Sequence, residues 1–128
     1  DLSRINLTDD KDQIINKIKK AKTDTLPLPS KIEELEKRPE AKNLIGIYSS
    51  LMNNTLQKSI DEFAGKNFSE FKEKLSDIVV NEINPISLRI KELLDDKVFL
   101  EKILKDGYEK ANEIASKKIK KIHEIIGF

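Results

Sequence analysis

The stretch FKEKLSDIVVNEINPISLRIKELL, running from Phe71 to Leu94, decides the fold. Its apolar residues are Phe71, Leu75, Ile78, Val79, Ile83, Ile86, Ile90, Leu93 and Leu94. They recur mostly three and four positions apart, which is the period of one face of an α-helix. The strict alternation a half-buried strand requires is not sustained here or elsewhere in the chain. Pro85 brings no amide donor, so the spacing predicts a long helix bent at that point, with two shorter helices as the alternative.

Reading toward the N-terminus, Ser69 is placed to start this helix. Gly65 suits a left-handed terminator of the one before it, which Thr55 caps and which turns Leu56, Ile60 and Phe63 inward. Asn53-Asn54 closes a preceding helix that opens with Pro39 at its first position, where a lost amide costs nothing. Along it Ala41, Leu44, Ile45, Tyr48, Leu51 and Met52 form one stripe. Ser30 and Glu33 have capping-box spacing and predict a short helix before Arg38. Thr25-Leu-Pro-Leu-Pro-Ser30 cannot be helical and reads as a loop. The first helix occupies the opening 24 residues, with Thr8 as cap, Asp9 and Asp10 beside the positive end of its dipole, and an end near Lys22. Its buried face carries Ile14, Ile15, Ile18 and Ala21, with Lys17, Lys19, Lys20 and Lys22 mostly around the other side.

Toward the C-terminus, Asp95-Asp96 caps a final helix that Gly127 stops. Leu104, Ala111, Ala115, Ile122 and Ile126 point one way along it, and Gly107, Ala111 and Ala115 make a smooth strip suited to close packing. The expected fold is therefore all-α: a compact helical bundle of about five helices, with a Pro-rich loop near 25–30 and a kink near Pro85.

A chain of 128 residues fits a single domain with a modest core. Lysine plus arginine number 24 against 23 aspartate plus glutamate, so no global field draws the chain to nucleic acid or to an anionic membrane. RNA binding would need a local patch. Apolar runs such as Ile78-Val79-Val80 fall far short of the ~20 residues that cross a bilayer. With no cysteine there can be neither a disulfide nor a thiolate zinc site.

Catalytic signatures are thin. His123 is the one histidine and lacks companions for a zinc site. Asp9-Asp10 and Asp95-Asp96 resemble paired carboxylates but sit where helices begin, so capping explains them. Gly46, Gly65, Gly107 and Gly127 have no phosphate-cradling spacing, and ATP has no recognisable seat. Tyr48, Phe63, Phe68 and Phe71 sit at core spacing rather than forming a stacking platform, while Tyr108 and Phe128 are less determined. Lys110, Lys117 and Lys121 share one side of the last helix and could meet phosphates. Glu109, Glu113 and Glu124 lie close to them, so a solvated mixed-charge face is the competing reading.

Three separated signatures carry a resemblance: Arg4-Ile-Asn-Leu-Thr-Asp-Asp10, Arg38-Pro-Glu-Ala-Lys-Asn-Leu-Ile-Gly-Ile-Tyr48 and Asp106-Gly-Tyr-Glu-Lys-Ala-Asn112. Phe71 to Pro85 adds a fourth anchor. In order and spacing they resemble the C-terminal third of bacterial tryptophanyl-tRNA synthetases, class I aminoacyl-tRNA synthetases. The resemblance implies that the Lys-Met-Ser-Lys-Ser loop lies just before Leu2 to Asp10, with Asp1 directly after it. The nucleotide-binding fold and tryptophan pocket then fall outside this chain, and no family catalytic residue maps onto it.

It implies an anticodon-binding helical domain over residues 1–128, inactive alone, within a cytoplasmic homodimeric parent that joins tryptophan to its tRNA using ATP with Mg. The implied partners are tryptophan tRNA and the catalytic domain, with no membrane and no cofactor in this chain itself. Lys110, Lys117 and Lys121 are the candidate tRNA contacts, Lys110 lying inside the matching Glu-Lys-Ala signature. From a different functional class, the alternative is a non-enzymatic helical protein-interaction module.

Overall fold

A computed structural model describes residues 2–127. Among them every regular element is helical: α1 (Lys11–Lys20), a 3-10 turn (Ile32–Lys37), α2 (Pro39–Leu51), α3 (Leu56–Phe63), α4 (Phe68–Asp95) and α5 (Lys97–Ile126). The chain divides into two compact units, one through Leu88 and one from Arg89 onward. The boundary falls inside α4.

The first unit is a helical bundle around three aromatic rings. Tyr48 from α2, Phe63 from α3 and Phe71 from α4 meet with centroids 5.0, 5.7 and 5.0 Å apart, two of the three pairs edge to face. That geometry sets the positive ring edge against the negative face. Ile14 and Ile18 of α1, Leu35, Leu44, Ile45, Ile60 and Leu75 close around them, each at most 6% exposed. The helical spacing of the sequence is thus realised as one contiguous core.

Local chemistry explains the ends. Pro39 opens α2 and Thr55 caps α3, its hydroxyl accepting the Lys58 N–H. Gly65 takes φ +74°, a conformation that costs glycine little. Asn53 also turns left-handed after α2, at φ +51°.

Several expectations need correction. The first helix spans Lys11–Lys20 rather than the opening 24 residues, and its cap is Asp10, not Thr8. Asp10 and Gln13 form a reciprocal box, each side chain accepting the other's backbone N–H at 2.9 Å. Asp9 points elsewhere. It is 6% exposed, accepts the Asn6 N–H at 2.8 Å and pairs with Lys17, which leaves the solvent face assigned to it. The segment after Ser30 is a 3-10 turn with no side-chain cap, since only a few residues separate Pro29 from Arg38 and the latter is held extended by Pro39. Asn67, not Ser69, caps α4, its Oδ1 accepting the Glu70 N–H at 2.9 Å. Met52 is 42% exposed rather than buried.

α4 continues through Pro85 as one helix, which excludes the two-helix alternative. In the second unit Asp96 caps α5, accepting the Phe99 N–H at 3.0 Å. Gly127 terminates it at φ +83°, its N–H reaching the His123 carbonyl at 2.9 Å. No residue of α5 is buried.

Candidate nucleic-acid interface

The candidate phosphate contacts lie on α5. Residues 110, 117 and 121 fall within roughly 40° around the helix axis, and the stripe they make rises about 17 Å from first to last. All three are exposed. Lys117 pairs with Glu113 one turn earlier at 2.6 Å, both side chains about 70% exposed. Lys110 and Lys121 have no carboxylate partner among the described residues. The structure therefore brings the three lysines together as one face and shows one of them already neutralised by a neighbouring carboxylate. Such an exposed pair is weak and salt-sensitive, so a phosphate could replace the carboxylate at small cost.

The other candidate groups separate cleanly. Tyr48, Phe63, Phe68 and Phe71 are core, and Tyr108 is 67% exposed on α5. Phe128 lies outside the described residues. Among the described residues no group of three or more histidine, aspartate or glutamate side chains could hold a metal ion. Among the described residues no helix is long and apolar enough to cross a membrane.

Two polar assemblies went unread in the sequence. Arg38 clasps the Pro-rich loop: Nε and Nη2 donate to the two Asp24 carboxylate oxygens at 2.8 and 2.7 Å, and Nη1 donates to the Pro27 carbonyl at 2.9 Å. Its guanidinium carbon stands 5.7 Å from the Phe68 ring centroid. The hydrogen bonds from Arg38 hold the Asp24 carboxyl below its ordinary range. Leu28 then exchanges backbone bonds with Gly65 and Lys66, at 3.0 and 2.8 Å, and Leu28 and Pro29 are buried. What reads as a linker is pinned at both ends.

Lys72 of α4 caps α1 from outside, its Nζ donating to the Ala21 carbonyl at 2.6 Å and to the Lys19 carbonyl and Thr23 hydroxyl at 3.3 Å. A cation beside those orphan carbonyls opposes the negative end of the helix dipole. Burial lowers the pKa of this amine. A groove of about 340 Å³ opens in the same unit, floored by Ile18, Leu44, Leu75 and Val79 with Arg4, Lys17 and Asn43 among its lining.

Among the described residues Lys110, Lys117 and Lys121 of α5 form one exposed basic face. The decisive observation comes from relatives. The chain is 48% identical over all 128 residues to a tryptophan–tRNA ligase of Agrobacterium fabrum, and 44% and 46% identical over the same length to those of Brucella melitensis and Rickettsia felis. The chain matches the C-terminal part of tryptophan–tRNA ligases. It spans only 36% to 38% of the length of these ligases, a little over a third of each. No family model matches the chain. The full-length match covers the bundle, the Pro-rich loop and α5 alike, so the ligase resemblance extends to the helix that carries the lysine stripe.

Proposed function

We propose that this chain is the helical anticodon-binding region of a tryptophan–tRNA ligase, a single functional domain over residues 1–128, with Lys110, Lys117 and Lys121 contacting tRNA phosphates. The observation that carries this reading is the match to tryptophan–tRNA ligases at 44–48% identity across the whole chain. In the longer protein the remaining two thirds would supply the catalytic domain, ATP with Mg and the tryptophan pocket. That protein would work in the cytoplasm as a homodimer, charging tryptophan tRNA. This chain's share is binding and orientation, with the exposed lysines of α5 meeting the backbone without reading sequence.

The test is a salt series of binding to tryptophan tRNA, comparing the chain with Lys110, Lys117 and Lys121 all changed to alanine. Three lost phosphate contacts should lower the slope of log K against log salt by about 2 to 3. An unchanged slope removes the three lysines from the interface. The same measurement with an altered anticodon separates backbone attraction from anticodon recognition: equal binding of both tRNAs would reject autonomous anticodon binding by this chain. A second reading, a helical module that binds protein, is favoured by the exposed apolar face of α5.

A further inference from the structure

We propose that the groove of the first unit is a binding site for a small carboxylate with a linear aliphatic tail, that is, a fatty acid of medium chain length. Its lining comes from residues between Leu2 and Ile83 and includes none from α5, so the inference stands apart from the tRNA reading.

The apolar lining fits the tail. The groove holds about 340 Å³, within the range of small-molecule sites. Leu75, Val79 and Ile83 follow one another at successive turns of α4, a run of roughly 12 Å, and Leu44, Ile47 and Leu51 do the same along α2. Of these, Ile47 is 38% exposed, and Leu2 of the opening segment is 54% exposed, so the bundle leaves apolar surface open here. No aromatic ring is part of the lining, and a planar ligand would find nothing to stack on. A flexible chain instead lays its methylenes against aliphatic side chains and takes both out of water.

The polar lining selects the head. Its charged members are Arg4 and Lys17, both cations, and no carboxylate lines the groove. The Lys17 side chain is only 11% exposed, and Asp9 is its one acceptor among the described residues. An ammonium carries three N–H donors, so two are left to be answered at a nearly buried position, where an unmet donor is costly. A carboxylate oxygen answers them. Asn43, exposed on α2 and part of the same lining, can donate its amide to the second oxygen. A cationic head on the same tail would meet like charges instead.

Titration calorimetry with decanoate, kept below the concentration at which it forms micelles, tests the site. Saturable binding of one decanoate per chain is expected. Each methylene removed from water is worth about 4-fold in affinity, so octanoate should bind on the order of 10-fold more weakly. Decyltrimethylammonium, with the same tail and the opposite charge, should bind more weakly still. Asn43→Asp is nearly isosteric and Ile47→Glu sits at a half-open position, so both variants should keep the unfolding midpoint of the bundle. Each sets an anion beside the carboxylate and should weaken decanoate at least about 10-fold, while the cationic tail gains. The absence of saturable binding overturns the proposal, as does decanoate binding that neither variant changes. Equal affinity for the two heads also overturns it, in favour of a plain apolar contact of the kind another polypeptide would make.

Discussion

α2 and α5 are written in the same periodic hand and end in opposite circumstances. Ala41, Leu44, Ile45 and Tyr48 of α2 are at most 6% exposed, while Leu104, Ile122 and Ile126 of α5 exceed 50%. Periodicity states which side of a helix is apolar; it is silent on whether anything covers that side. The bundle up to Leu88 supplies its own cover, because Tyr48, Phe63 and Phe71 come from three different helices and satisfy one another. α5 carries an equivalent stripe with nothing in its own unit large enough to bury it. The buried contacts that hold the fold together accordingly lie in the first unit.

The largest expected effect breaks that contrast at its centre. Phe71→Ala removes a ring that touches both other aromatics and should cost about 3–5 kcal/mol, a large part of the 5–15 kcal/mol by which a domain of this kind is stable. Ile122→Ala, the same kind of truncation at a side chain 53% exposed on α5, should stay within about 0.5 kcal/mol. Urea midpoints of the two variants decide the matter. A comparable loss in both would mean that α5 is folded into the cooperative unit after all.

A smaller effect concerns how the bundle holds its loop. Arg38→Lys keeps the charge but loses the two-pronged grip on Asp24 and the bond to the Pro27 carbonyl, and should cost roughly 2 kcal/mol. Hydrogen exchange sharpens the prediction, because the Leu28 and Gly65 amides are bonded only while the loop is pinned against the α3–α4 turn. Their protection should fall together, ahead of the core amides of α2. Uniform protection across the variant would show that Leu28 and Pro29 are held by burial alone. The contribution of the Asp24 pair is present above the ordinary carboxylate pKa and fades as pH falls through the lowered native value.

These assemblies also mark where sequence reading stops. Helices α2 to α5, the Thr55 cap, the Gly127 terminator and the loop at 25–30 were legible because each depends on neighbours a few residues away. Arg38 with Asp24 and Lys72 with Ala21 were not, since they join residues 14 and 51 positions apart and leave no periodic trace. Asp9 was misread for the same reason: its partner Lys17 lies two turns on, and a carboxylate before a helix looks like a cap until its oxygens are located. At the candidate interface the lysine stripe was visible as a face. Its Glu113 neighbour was visible too, and whether that carboxylate or a phosphate occupies Lys117 is decided by the partner and not by the helix.

The smallest effect isolates one hydroxyl in the core. Tyr48 is fully buried and donates to Glu62, whose two carboxylate oxygens stand 2.9 and 3.0 Å away. Burial first, then the hydrogen bond and the negative charge of Glu62, push the phenol up to about 12 from an ordinary 10. A group whose native pKa is raised stabilises the fold fully below its unfolded pKa, so this contribution is intact at neutral pH and is lost as pH climbs from about 10 to 12. Tyr48→Phe should cost about 1 kcal/mol at pH 7, and that difference should shrink across the alkaline window as the wild-type phenol is driven to ionise. Unfolding midpoints of the two proteins, followed with the tyrosinate absorbance, test it. A difference unchanged from neutral to strongly alkaline pH would show that the hydroxyl gains nothing from Glu62, and that the three rings hold the core by shape alone.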